Sequence, residues 1–163
     1  MRRSLLLVQL ALVVLALPIE MPRAEKRHSL KEAGSIRYLE LVPTGQTALA
    51  ALAVQKPNTS LSEILSKAGD AEISNLLEDL NSDGTPELIV QLTGTITCGI
   101  RDCDTYIFSL ENNEYRPIWT ATMSVLGVGS VNVNGWNILV TNPDTQKDNG
   151  TFWSWEGKNY VLR

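Results

Sequence analysis

Twelve residues hold most of the chemistry that can be read in this chain: Asp79-Leu80-Asn81-Ser82-Asp83-Gly84-Thr85-Pro86-Glu87-Leu88-Ile89-Val90. Counted from Asp79, oxygen-bearing side chains stand at positions 1 (Asp79), 3 (Asn81), 5 (Asp83) and 9 (Glu87). Calcium takes about six to eight oxygen ligands at short range, and acidic side chains at alternate loop positions can point inward to supply them. Thr85 would add its backbone carbonyl, and Gly84 at position 6 would permit the sharp turn. A helix-loop-helix calcium site ends in a bidentate Glu at position 12; here that position is Val90, which cannot bind the ion. An ion-free Asx turn is the plainer reading of the same residues.

The other candidate residues are fewer. Cys98 and Cys103 are the only cysteines, in C-G-I-R-D-C, and a nearby pair in an oxidising compartment is expected to form a disulfide. The redox-active motif has two intervening residues, not four. Trp153 and Trp155 share a strand face, with Tyr160 across a turn, as a sheet-packing stripe or a platform for a sugar or protein partner. No catalytic residue is expected. The single histidine, His28, lies in a polar N-terminal stretch and reads as a solvated residue, so no base is at hand to activate a Ser or Thr hydroxyl. Gly127-Val128-Gly129 lacks the third glycine and the helix that a nucleotide-binding turn requires.

These residues need a scaffold, and local pattern predicts a mostly β one. Residues 88–92, 105–110, 115–119, 125–133, 136–140, 151–155 and 159–162 are strand-like and separated by turn signals. The turns include Asn134-Gly135, a strong hairpin signal, and the polar residues 111–114. Pro117 has no N–H, which places its strand at a sheet edge or on a bulge. Residues 73–80 fit a helix or a strand leading into the acidic loop. Helical material is confined to the first third: an Ala/Leu-rich segment at 46–55, and residues 62–68 behind a Ser60–Glu63 capping box. The expected fold class is α+β, mostly β: an antiparallel meander over the C-terminal two-thirds with one or two short helices before it.

Length and composition set the frame. The chain has 163 residues, 44% hydrophobic, enough for one packed domain. Arg2 and Arg3 precede a 13-residue apolar run at 5–17, too short to span a bilayer comfortably, so residues 1–24 read as a signal peptide. Residues 25–45 read as a loosely held polar arm with a possible first strand at 36–42, and residues 46–163 as one β-rich domain. Without the leader's three arginines and one glutamate, 11 basic and 17 acidic residues remain, a net charge of −6. An acidic chain without a Lys/Arg stripe disfavours nucleic acid and an anionic membrane surface as partners.

The loop D-L-N-S-D-G-T-P-E-L-I-V resembles the D-x-N-x-D-G-x-x-D/E loop of FG-GAP/VCBS-type repeats, which is followed by the same apolar strand. The resemblance implies a loop between two β-strands, with calcium ligated by Asp79, Asn81, Asp83 and Glu87. It covers one loop and one strand, a single copy where propeller proteins carry several, so a full propeller is not implied. Leader, loop, C-x4-C pair and Trp-rich hairpin together resemble small exported bacterial proteins of unassigned function. The expectation is a periplasmic or secreted, non-catalytic domain with a structural calcium loop, binding a protein or glycan of the envelope or exterior. The alternative is a hydrolase assisted by the loop cation.

Overall fold

A computed structural model describes residues 28–43 and 59–163. The signal-peptide region and the Ala/Leu-rich segment at 46–55 lie outside the described residues.

Among the described residues, ten strands form two antiparallel sheets. One contains β2 (Val42–Pro43), β3 (Glu72–Glu78), β4 (Glu87–Thr93), β5 (Cys103–Glu111) and β6 (Glu114–Met123), side by side in chain order. The other is ordered β1 (Ile36–Tyr38), β7 (Leu126–Val133), β8 (Trp136–Asp144), β9 (Asn149–Trp155) and β10 (Tyr160–Leu162). The expected meander is therefore two meanders, and the chain changes sheet between Met123 and Leu126. Asn142 Oδ1 holds this crossing, accepting from the backbone N–H of Ser124 (2.9 Å) and Val125 (3.2 Å) and from the Ser124 hydroxyl (3.1 Å).

Alternation along each strand divides the apolar residues among three layers. Ile89, Ile107, Ile118 and Trp119 of the first sheet meet Leu126, Val128, Leu139 and Trp155 of the second in a shared core, with Leu80. On the outer face of the first sheet, Leu88, Val90, Leu92 and Phe108 pack with Ala68, Ile64 and Leu65 of helix α1 (Thr59–Ala68). On the outer face of the second, Ile138, Val140 and Phe152 pack with Leu30 and Ala33 of a 3₁₀ turn (Leu30–Ala33). Covered on both faces, Glu87-Leu88-Ile89-Val90 is buried without interruption.

Several expectations are refined. Residues 73–80 resolve to strand β3 and the loop that follows it. Helix α1 begins at Thr59, upstream of the Ser60 expected as its cap. The strand expected over 36–42 is two, one in each sheet. The turn at 111–114 is tighter, because Glu111 pairs with Glu114 and only Asn112 and Asn113 turn, both at positive φ. Pro117 sits on edge strand β6, where the register with β5 shifts.

Where it is described, the start of the stretch expected as a loosely held arm, with His28 expected to be solvated, packs on the second sheet. Ser29 caps the 3₁₀ turn and forms a capping box with Glu32. His28, whose side chain is 10% exposed, contacts Glu32 Oε2 at 2.8 Å and stacks on Phe152. That contact holds the Glu32 carboxyl below its usual range. The second sheet accepts this turn because Gly129 leaves room for Ala33.

Candidate functional site

The acidic loop joins β3 to β4, and its shape follows from short polar side chains bonding the nearby backbone. Asn81 Oδ1 accepts from Asp83 N–H at 2.9 Å, while its amide donates to Asp83 Oδ2 at 2.9 Å. Asp83 Oδ1 accepts from Thr85 N–H at 2.6 Å. These donors hold the Asp83 carboxyl below the usual range, the Thr85 N–H contributing most. Asp79 Oδ2 reaches across the turn to Gly84 N–H at 3.0 Å, with Gly84 at φ +85°. Asp79, Asn81, Asp83 and Thr85 thus lie in one turn whose backbone donors are directed at its side-chain oxygens, while Glu87 opens strand β4 just beyond it.

Two groups are left in an uncomfortable state. Asp79 Oδ1 is buried with no hydrogen-bond partner among the described residues. Leaving a buried acceptor unpaired costs about 1–3 kcal/mol, more for a charged group. Glu87 is 1% exposed, and its Oε2 accepts from Leu80 N–H at 2.9 Å. Burial pushes its pKa up to about 7, with further repulsion from Asp83 and Asp79. The orphaned Asp79 oxygen and the buried Glu87 carboxyl, which repel each other, are charges that a divalent cation would neutralise. Among the described residues, no three His, Cys, Asp or Glu side chains stand together as a ready-made cage. A calcium loop also draws on amide and carbonyl oxygens, which here would come from Asn81 and Thr85.

The loop is wired into the body of the protein. Leu80 is fully buried in the shared core, and its carbonyl accepts from Asn137 N–H of β8 at 2.9 Å. Arg37 of β1 makes a two-pronged ion pair with Glu78, the last residue of β3. Both links cross between the sheets and could not be read from local sequence.

Cys98 and Cys103 form the expected disulfide. It closes a loop that carries the exposed Ile100, with a second exposed isoleucine, Ile96, just before it. The aromatic residues divide. Trp155 is 8% exposed and stacks on Trp136 with centroids 4.1 Å apart, so this member of the expected platform belongs to the core. Tyr160 is also buried, and its hydroxyl donates to Asn137 O at 2.9 Å. Trp153 is half-buried and, with Tyr160, lines a surface groove. Sequence reasoning missed a third member, Trp119, because it lies on a strand 34 residues upstream of Trp153.

No helix among the described residues is long and apolar enough to cross a membrane. No protein family model, curated protein or solved structure matches the chain.

Proposed function

We propose that the protein is an exported β-domain that acts by binding rather than by catalysis, and that the loop from Asp79 to Glu87 holds one calcium ion that fixes the seam between its sheets. The observation that carries this reading is the buried, unpartnered Oδ1 of Asp79, adjoining a turn that also holds Asp83 and repels the buried Glu87. Asp79, Asn81, Asp83 and Glu87 would ligate through side chains and Thr85 through its carbonyl. The ion would supply charge neutralisation, not chemistry. The ligating loop carries Leu80 into the core and bonds to β8, so ordering the loop orders the contact between sheets.

The outward-facing surface would engage an envelope or extracellular component. The disulfide supports an oxidising location. Calorimetric calcium titration with thermal melting tests the reading. The intact protein should bind one calcium, with Kd on the order of 10⁻⁴–10⁻³ M, and gain stability. An Asp79→Ala/Asp83→Ala variant should do neither. An unchanged melting temperature in saturating calcium would reduce the loop to an ion-free turn.

A further inference from the structure

A groove of about 520 Å³ lies beside edge strand β6, lined also by residues of β5, β9, β10 and helix α1. Its volume lies in the range of ordinary small-ligand sites, roughly 300–1,000 Å³. Trp119 of the first sheet and Trp153 and Tyr160 of the second line it, and Glu63, Thr120 and Asn159 are exposed along its rim.

The rings are held and the rim is free. Trp153 donates its indole N–H to Thr141 Oγ1 at 3.1 Å and meets Trp119 edge-on, with centroids 5.5 Å apart. Tyr160 is fixed through its hydroxyl to Asn137 O. By contrast, the side chains of Thr120, Asn159 and Glu63 make no hydrogen bond among the described residues. Trp119 adds a buried indole N–H with no partner among those residues. Aromatic faces locked by bonds behind them are preorganised, because few of their rotamers remain to be frozen on binding, and the uncommitted hydroxyl, amide and carboxylate groups beside them are free to bond a ligand.

The chemistry of the wall selects the ligand. No Lys, Arg or His is among the described residues that line the groove, and Glu63 adds a negative charge, so phosphates and acidic chains are repelled. Exposed Thr120 and Asn159 leave one side of any occupant in water, which suits a ligand with one apolar face and one polar face better than an acyl chain. A sugar ring has that form: C–H groups that lie on an aromatic face, and hydroxyls around its edge for Thr120, Asn159 and Glu63.

We infer that this groove binds a short neutral oligosaccharide, stacked on Trp153 and hydrogen-bonded at its rim. This deepens the proposed binding function but draws on none of the loop's calcium chemistry.

Nuclear magnetic resonance on the intact protein tests it, using the four indole N–H signals. Cellotetraose, chitotetraose and maltotetraose are titrated in turn to about 10 mM, reaching weak binders, both in calcium and in chelator. A saturable shift of Trp119 and Trp153 by at least one sugar, with Trp136 and Trp155 little changed, is the expected result in either condition. The exposed rim variant Thr120→Ala/Asn159→Ala should keep the spectrum of the fold and weaken that binding by about fivefold or more. Trp153→Ala should abolish it, and the rim variant decides the matter if Trp153→Ala fails to fold. Unmoved indoles with all three sugars in both conditions would overturn the inference. So would equal movement of all four indoles, or a proline-rich peptide moving Trp119 and Trp153 where no sugar does. Failure of calcium binding at the loop leaves the groove's test intact.

Discussion

The carbonyl of Leu80 accepts a hydrogen bond from the backbone N–H of Asn137 at 2.9 Å, and Asn137 in turn offers its own carbonyl to the Tyr160 hydroxyl. One residue of β8 therefore joins the acidic loop to the aromatic hairpin. The Leu80 side chain extends into the shared core from the same position, so loop, seam and groove wall meet within a few residues.

Leu80→Ala should be among the most damaging single changes. The side chain is fully buried, and truncation at such sites costs about 2–5 kcal/mol. Urea unfolding should give a loss in this range with the m-value unchanged. A loss below about 1 kcal/mol would mean that the loop does not anchor the seam.

Glu87 sets the pH response of the calcium-free protein. Its pKa is raised from 4.5 to about 7 in the fold, so the folded state holds this proton more tightly than the unfolded chain. Its stabilising effect is complete below about pH 4.5 and fades as the pH rises to about 7. Asp83, Glu32 and Asp144 have lowered pKa values and act in the opposite sense, losing their contribution in more acidic solution. Melting in chelator should therefore show stability declining from pH 5 to about 7.5, and Glu87→Gln should flatten that decline.

Calcium should reverse that slope. An ion ligated by Glu87 would need its carboxylate, so binding near pH 6 should displace the proton that the raised pKa retains. Titrations in buffers of different ionisation enthalpy should reveal up to one proton released per calcium, falling toward none above about pH 8. Proton release that is absent at pH 6 would exclude Glu87 as a ligand.

The disulfide should matter locally. Cys98 and Cys103 close a small loop, worth about 2 kcal/mol in the chain-entropy model. Cys98→Ser/Cys103→Ser should lower stability by about that amount or less. Faster hydrogen exchange should be confined to the amides around it, such as Asp104 N–H, which bonds Thr97 O at 2.8 Å.

Gly129→Ala should separate packing from turn chemistry. An added Cβ would stand 2.6 Å from the Ala33 carbonyl oxygen, so backbone must shift, at a cost of about 1–3 kcal/mol. At Gly99 the nearest atom is 3.8 Å away, and Gly99→Ala should be nearly neutral in the same melts.

Local physics determined much of this protein from sequence. Asn134-Gly135 turns as a hairpin because both residues reach positive φ cheaply, Pro117 is driven to an edge by its missing N–H, and the nearby Cys98 and Cys103 pair. The order of Asp79, Asn81, Asp83 and Gly84 likewise closes a turn through contacts no more than five residues apart. Only tertiary structure decided the rest, because it depends on which surfaces meet. Strand alternation cannot say that the meander breaks after Met123, since strands on either side look alike until Asn142 captures the crossing. Nor can composition show that a polar arm docks, because its site is a gap above Gly129, far along the chain. The burial of Glu87 and the isolation of Asp79 Oδ1 arise in the same way: sequence supplied the oxygens, and the packing of one sheet on the other removed their water.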